Sequence, residues 1–139
     1  MELLLSQPRL RREWELRRGD EVVATLRTSL FRRGAEVEIG DERHVLKPQR
    51  VLELGGRRAE WKPLGRKLGA GFVGPDGETL VRGKLRTGLL RTEGELEVAD
   101  DLPEQEALFA AALTAYLLIR KADDDSGAAA ASVDATGSG

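Results

Sequence analysis

The chain has no cysteine, which excludes disulfide staples and thiolate metal sites and fits a reducing compartment, so a cytoplasmic location is expected. It has a single histidine, His44, and only six aromatic side chains, two Trp, one Tyr and three Phe. A zinc site would have to be built mainly from carboxylates. A stacking platform for single-stranded nucleic acid needs aromatics on an open strand face, whereas Trp14, Trp61 and Phe72 fall on the apolar side of their strands and Phe109 and Tyr116 lie in a helix. No metal, cofactor or nucleic-acid partner is expected. A long apolar run is also missing. The longest, 107–119, includes Thr114 and Tyr116 and falls short of the roughly 20 residues that cross a bilayer. The opening Met1-Glu2-Leu3-Leu4-Leu5 lacks the basic start and longer apolar stretch of a secretory signal. Neither a transmembrane nor a targeting segment is expected.

Catalytic signatures are equally scarce. His44, in Glu42-Arg43-His44-Val45-Leu46, has no evident nucleophile partner in the sequence, and a general base needs one within hydrogen-bond reach. Ser6, Ser29, Ser126, Ser132 and Ser138 sit in no nucleophile elbow. Gly69, Gly71 and Gly74 match a dinucleotide fingerprint in spacing, but Pro75-Asp76-Gly77 follows where that fingerprint requires a helix. These glycines read instead as a bend in a sheet. No catalytic residue is assigned, and the chain is read as a non-enzyme; an enzyme with an unrecognised site is the outlying alternative.

What the sequence does contain is charge and short alternation. Net charge is −2, yet residues 1–99 hold 20 basic against 16 acidic side chains, while 100–139 hold 2 against 8. Arginine makes up 17 of the 22 basic residues, a bias that a GC-rich, bacterial-type genome also produces. From Leu10 to Val98 the pattern is short and alternating: Trp14 and Leu16, then Val22, Ala24 and Leu26, then Ala35, Val37 and Ile39, Leu52 and Leu54, Ala59 and Trp61, Ala70 and Phe72, then Val81, Gly83 and Leu85, and Leu96 and Val98. Period-two alternation marks antiparallel strands with one buried face. The breaks at Gly19-Asp20, Arg33-Gly34, Gly40-Asp41, Gly55-Gly56, Pro75-Asp76-Gly77 and Glu93-Gly94 have hairpin-turn chemistry.

A helix follows. Asp101-Leu102-Pro103-Glu104 has the residues of a capping box, and 107–119 is apolar on every side. Such a helix must be surrounded, and the chain offers only strands to surround it. The expected fold is therefore mainly β, an antiparallel β-barrel or strongly curled sheet of about 8–10 strands enclosing one C-terminal hydrophobic α-helix. A helix lying on one open sheet, or capping a dimer interface, is the alternative. Residues 1–122 form the single domain. Residues 123–139, with Asp123-Asp124-Asp125, four alanines and a Gly/Ser ending, have too little apolar bulk to offset ordering entropy and read as a disordered low-complexity tail.

A β-meander closing on the block Leu108-Phe109-Ala110-Ala111-Ala112-Leu113-Thr114-Ala115-Tyr116-Leu117-Leu118-Ile119 resembles the tubby-like superfamily, with its LURP-one-related and phospholipid scramblase-like barrels. The resemblance covers about Trp14 to Lys121 and lies in architecture rather than in a motif; complete barrels of that family have twelve strands. It implies a class of activity, the binding of anionic lipid headgroups.

One stretch could carry such an activity. Between Arg57 and Arg91 nine basic residues face three acidic ones. Arg82, Lys84 and Arg86 are two apart, so one strand places them on one face, and arginine suits bidentate phosphate recognition. The candidate anion-binding residues are Arg82, Lys84, Arg86, Arg57, Arg58, Lys62, Arg66 and Lys67. The functional expectation is a binding or scaffold module for anionic, phospholipid-headgroup-like ligands. The competing one is a structural or self-association domain whose basic face contacts a protein or only solvent.

Overall fold

The computed structural model describes residues 1–7, 13–28, 34–87 and 92–138, the side chains at 87, 92 and from 123 onward excepted. Ten strands precede one helix: β1 (Glu2–Ser6), β2 (Glu13–Arg18), β3 (Glu21–Thr28), β4 (Ala35–Ile39), β5 (Glu42–Leu46), β6 (Val51–Leu54), β7 (Arg57–Gly65), β8 (Gly69–Val73), β9 (Thr79–Thr87), β10 (Thr92–Val98) and α1 (Glu104–Ser138). All strands join one antiparallel sheet in the order β5-β4-β3-β2-β1-β10-β9-β8-β7-β6. Two five-stranded meanders are thus joined by the β1–β10 pair, in which Leu3 lies opposite Leu96. The sheet is not closed, because β5 and β6 occupy its two edges.

Alternation does what the sequence implies. Leu3, Leu5, Trp14, Leu16, Ala24, Leu26, Val37, Ile39, Leu54, Ala59, Phe72, Val81, Leu96 and Val98 are buried and form one core with the helix. Leu52, Trp61 and Leu85 are only partly buried at its margin. Val22 departs from the pattern. A register shift after Leu16 pairs Arg17 with Val22, which moves Val22 off the inner face and leaves it exposed.

Every residue of 107–119 except Phe109 is buried. Strands from both meanders pack on α1, β3 and β4 from one and β6, β8, β9 and β10 from the other. The run of small residues Ala110-Ala111-Ala112 permits that approach. So does Gly83 on β9, where any Cβ would press on Leu96 and on Leu118 of the helix.

Three expectations are corrected. Asp101 does not cap the helix: the first helical bond runs from the Ala107 N–H to the Pro103 carbonyl at 2.8 Å, and the Asp101 carboxylate accepts instead from Arg57 at 2.7 Å. Glu93-Gly94 is not a turn, because both residues lie inside β10, Gly94 paired with Leu85 and with Leu5; its missing side chain makes room for those two leucines. The strand pattern also begins earlier than Leu10, with β1. Of the Arg33-Gly34 turn, Arg33 lies outside the described residues. The helical path runs on to Ser138, with side chains described as far as Ala122. Among the described residues no helix is long and apolar enough to cross a membrane.

Candidate functional site

The expected basic face divides when folded. Arg82, Lys84 and Arg86 do share the outer side of β9, but across β10 they lie opposite Glu97, Glu95 and Glu93. Arg82 is bound outright: one guanidinium nitrogen donates to Glu97 at 2.8 Å and the other to the Leu68 carbonyl at 3.2 Å. Arg57 stands at the other end of the molecule, where it bridges Asp101 at 2.7 Å and Glu78 at 3.6 Å. Arg58 is 4.0 Å from Glu60 on the exposed side of β7, and Lys62 is exposed on the same strand. Arg66 and Lys67 form the exposed turn between β7 and β8.

That turn borders a more concentrated site. Helix α1 starts near the β2–β3 and β6–β7 turns, where Glu104 accepts from Arg18 at 3.0 Å and Glu106 from the Gly55 N–H at 3.3 Å. It leaves the sheet at the opposite end. There Leu117, Arg120 and Lys121 join Pro48, Arg50, Trp61, Pro63 and Ala70 around a cavity of about 560 Å³. The backbone sets this up. The Trp61 N–H donates to the Arg50 carbonyl at 2.8 Å, extending the β6–β7 ladder by one residue and holding Arg50 opposite Trp61. The Trp61 ring meets Phe72 edge-on at 5.3 Å. Arg120 donates to the Tyr116 hydroxyl at 3.2 Å, one helical turn back.

The lining therefore has an apolar wall, three cations and no carboxylate. Cavities of roughly 300–1,000 Å³ with a few convergent polar groups hold small ligands. A ligand suited to this one has a negative charge and some apolar or planar surface. Arg50, Arg120 and Lys121 do not stand out in the sequence, and Trp61 does so only as an apolar strand residue, because the four come from three separate elements. The readable signal was the carboxylate-free connection Lys47-Pro48-Gln49-Arg50.

His44 lies on β5 with its ring edge-on to Phe109 at 5.6 Å and Nε2 3.3 Å from Glu42. Its contacts are a packing neighbour and a surface carboxylate. Among the described residues no three His, Asp or Glu side chains gather as a metal-binding group. Gly69–Val73 is strand β8 and runs into a turn at Gly77, so no helix follows the glycines as a dinucleotide site demands. Comparison with family models, curated proteins and solved structures returns no match.

Proposed function

We propose that the chain is a non-enzymatic binding module that takes anionic, phospholipid-headgroup-like ligands in the cavity of Arg50, Trp61, Arg120 and Lys121. The observation that carries this reading is the cavity's three cations with no carboxylate on its lining. The β9 stripe, by contrast, faces three glutamates. In this reading Arg66, Lys67 and Lys62 belong to the surrounding basic field, and Arg57 and Arg82 are structural. An anion held between two guanidinium groups and an ammonium gains charge-assisted hydrogen bonds, and Trp61 supplies a flat apolar wall. The proposed setting is cytoplasmic, supported by the cysteine-free composition. A reduced relative of the tubby-like barrels is the proposed lineage, supported by the antiparallel meander packed around an apolar terminal helix.

Titration with a soluble inositol trisphosphate, followed by calorimetry, tests the site. Saturable binding that is lost in Arg50→Glu and in Arg120→Glu is expected. Binding unchanged in both variants refutes the site.

A second reading, self-association, has its own observation. Among the described residues the outer edges of β5 and β6 have no strand beside them, and each strand exposes a valine, Val45 at 67% and Val51 at 45%. Unprotected edges invite pairing with another chain. A concentration-dependent dimer in light scattering that Val45→Lys abolishes would favour it.

A further inference from the structure

Charge is sorted along the molecule. At the end where α1 starts, the turns carry Asp20, Asp41, Asp76, Glu78, Asp100 and Asp101 and no lysine or arginine. The nearby arginines there are already paired, Arg18 with Glu104 at 3.0 Å and Arg57 with Asp101 at 2.7 Å. At the opposite end the β5–β6 connection brings Lys47 and Arg50, the β7–β8 turn Arg66 and Lys67, and α1 Arg120 and Lys121. Neither connection contains a carboxylate. Among the described residues none of these six cations has an ion-pair partner.

The basic end also presents an apolar tip. Leu68 is 47% exposed beside Arg66 and Lys67, and Pro48 and Pro63 are exposed nearby. Gly65 and Gly69, with φ of 98° and 83°, bracket the turn in a backbone conformation that glycine adopts without strain. At Gly69 any Cβ would run into the Gly83 backbone of β9, and Arg82 ties down the Leu68 carbonyl. The tip is thus held on a firm base. Unpaired cations around a projecting leucine match an anionic lipid–water interface, which offers phosphates to the cations and acyl chains to the leucine.

We propose that this corner, from the β5–β6 connection to the β7–β8 turn, docks on an anionic bilayer, with Leu68 entering the interface and the cavity facing the headgroups. The proposal rests on the reading of this end as anion-binding, but not on occupancy of the cavity. In sequence, Asp123, Asp124 and Asp125 follow Lys121; their charge has the sign of the bilayer's and should weaken docking.

The test is co-sedimentation of the full chain with vesicles of phosphatidylserine in phosphatidylcholine. Binding to these and not to pure phosphatidylcholine is expected, fading as salt rises past physiological strength. A cation beside such a surface is worth roughly fivefold in partitioning. Arg66→Ala with Lys67→Ala should therefore lower binding about twenty-five-fold, and Asp123→Asn with Asp124→Asn and Asp125→Asn should raise it. Because the chain has no cysteine, a single Leu68→Cys carries an environment-sensitive dye cleanly. Its emission should shift to the blue on vesicles, and that of a dye on Asp76→Cys at the other end should not. Three results would each overturn the proposal: no vesicle binding at low salt, binding indifferent to the Arg66/Lys67 pair, or tighter binding to DNA than to vesicles. If the soluble inositol trisphosphate fails to bind while vesicles bind and the turn variants release them, the cavity reading falls and docking stands. The reverse outcome removes docking alone.

Discussion

If the sheet encloses α1 around residues 110–113, no face of that turn should accept a charge. Ala110, Ala111, Ala112 and Leu113 are each 0% exposed. Successive helical residues point about 100° apart, so these four sample most of the helix circumference. An unpaired carboxylate at any of them would be buried without compensation, at a cost of several kcal/mol. Against a total stability on the order of 5–15 kcal/mol, Ala110→Asp, Ala111→Asp and Ala112→Asp should each unfold the chain or bring it close. Milder changes keep the comparison quantitative. Ala111→Leu and Ala112→Leu should each cost about 1–3 kcal/mol through overpacking, and Leu113→Ala about 2–5 kcal/mol through the cavity it leaves. Phe109, half-buried against His44 of edge strand β5, is the internal control: Phe109→Lys can reach solvent and should be the best tolerated charge in the segment. Urea denaturation followed by far-ultraviolet circular dichroism gives the free energies. Should one of the three aspartate variants match wild type to within about 0.5 kcal/mol, the ordinary range for a harmless surface change, the helix has a wet face there and enclosure is refuted.

Truncation after Asp124 should leave the thermal midpoint unchanged, since the residues removed hold little apolar bulk; a drop of several degrees would show that they pack. Gly83→Ala should destabilise by about 1–3 kcal/mol, because the added methyl meets Leu96 and Leu118, and a neutral result would mean that the β9–helix contact is looser than described. The amino-terminal ammonium, 2.7 Å from Asp100, holds that carboxyl below its ordinary pKa by hydrogen bond and charge. The pair's contribution is therefore present above the unfolded aspartate value and lost as pH falls through the lower folded one. A carboxyl NMR titration should place Asp100 below aspartate in an unstructured peptide, and acetylation of the amino terminus should raise it.

The strand pattern and the buried helix were legible because both follow from which side of an element is apolar. Trp14, Val37, Ala59 and Leu96 alternate with charged neighbours, and 107–119 has no strongly polar side. What escaped was decided by tertiary partners. In β1 the alternation of Leu3 and Leu5 is hidden by Leu4 between them, and only pairing with β10 and β2 reveals the strand. Asp101 has the chemistry of a cap, but Arg57, distant in sequence, captures it. The Arg82, Lys84 and Arg86 stripe was correctly placed on one face; the glutamates opposite it depend on β9–β10 register, which spacing alone does not give. The cavity was harder still, since Arg50, Trp61 and Arg120 meet only when the helix end and two separate strand ends come together.

The central claim, anion recognition at the basic end, is most directly tested by mapping chemical shifts. In a ¹⁵N NMR titration of the full chain with a soluble inositol trisphosphate, perturbations are predicted for the Trp61 indole N–H, the Arg50 and Arg120 side chains and the Lys121 amide. The Arg82, Lys84 and Arg86 strand should stay still. Perturbations centred on that strand, or none anywhere at millimolar ligand, would contradict the account.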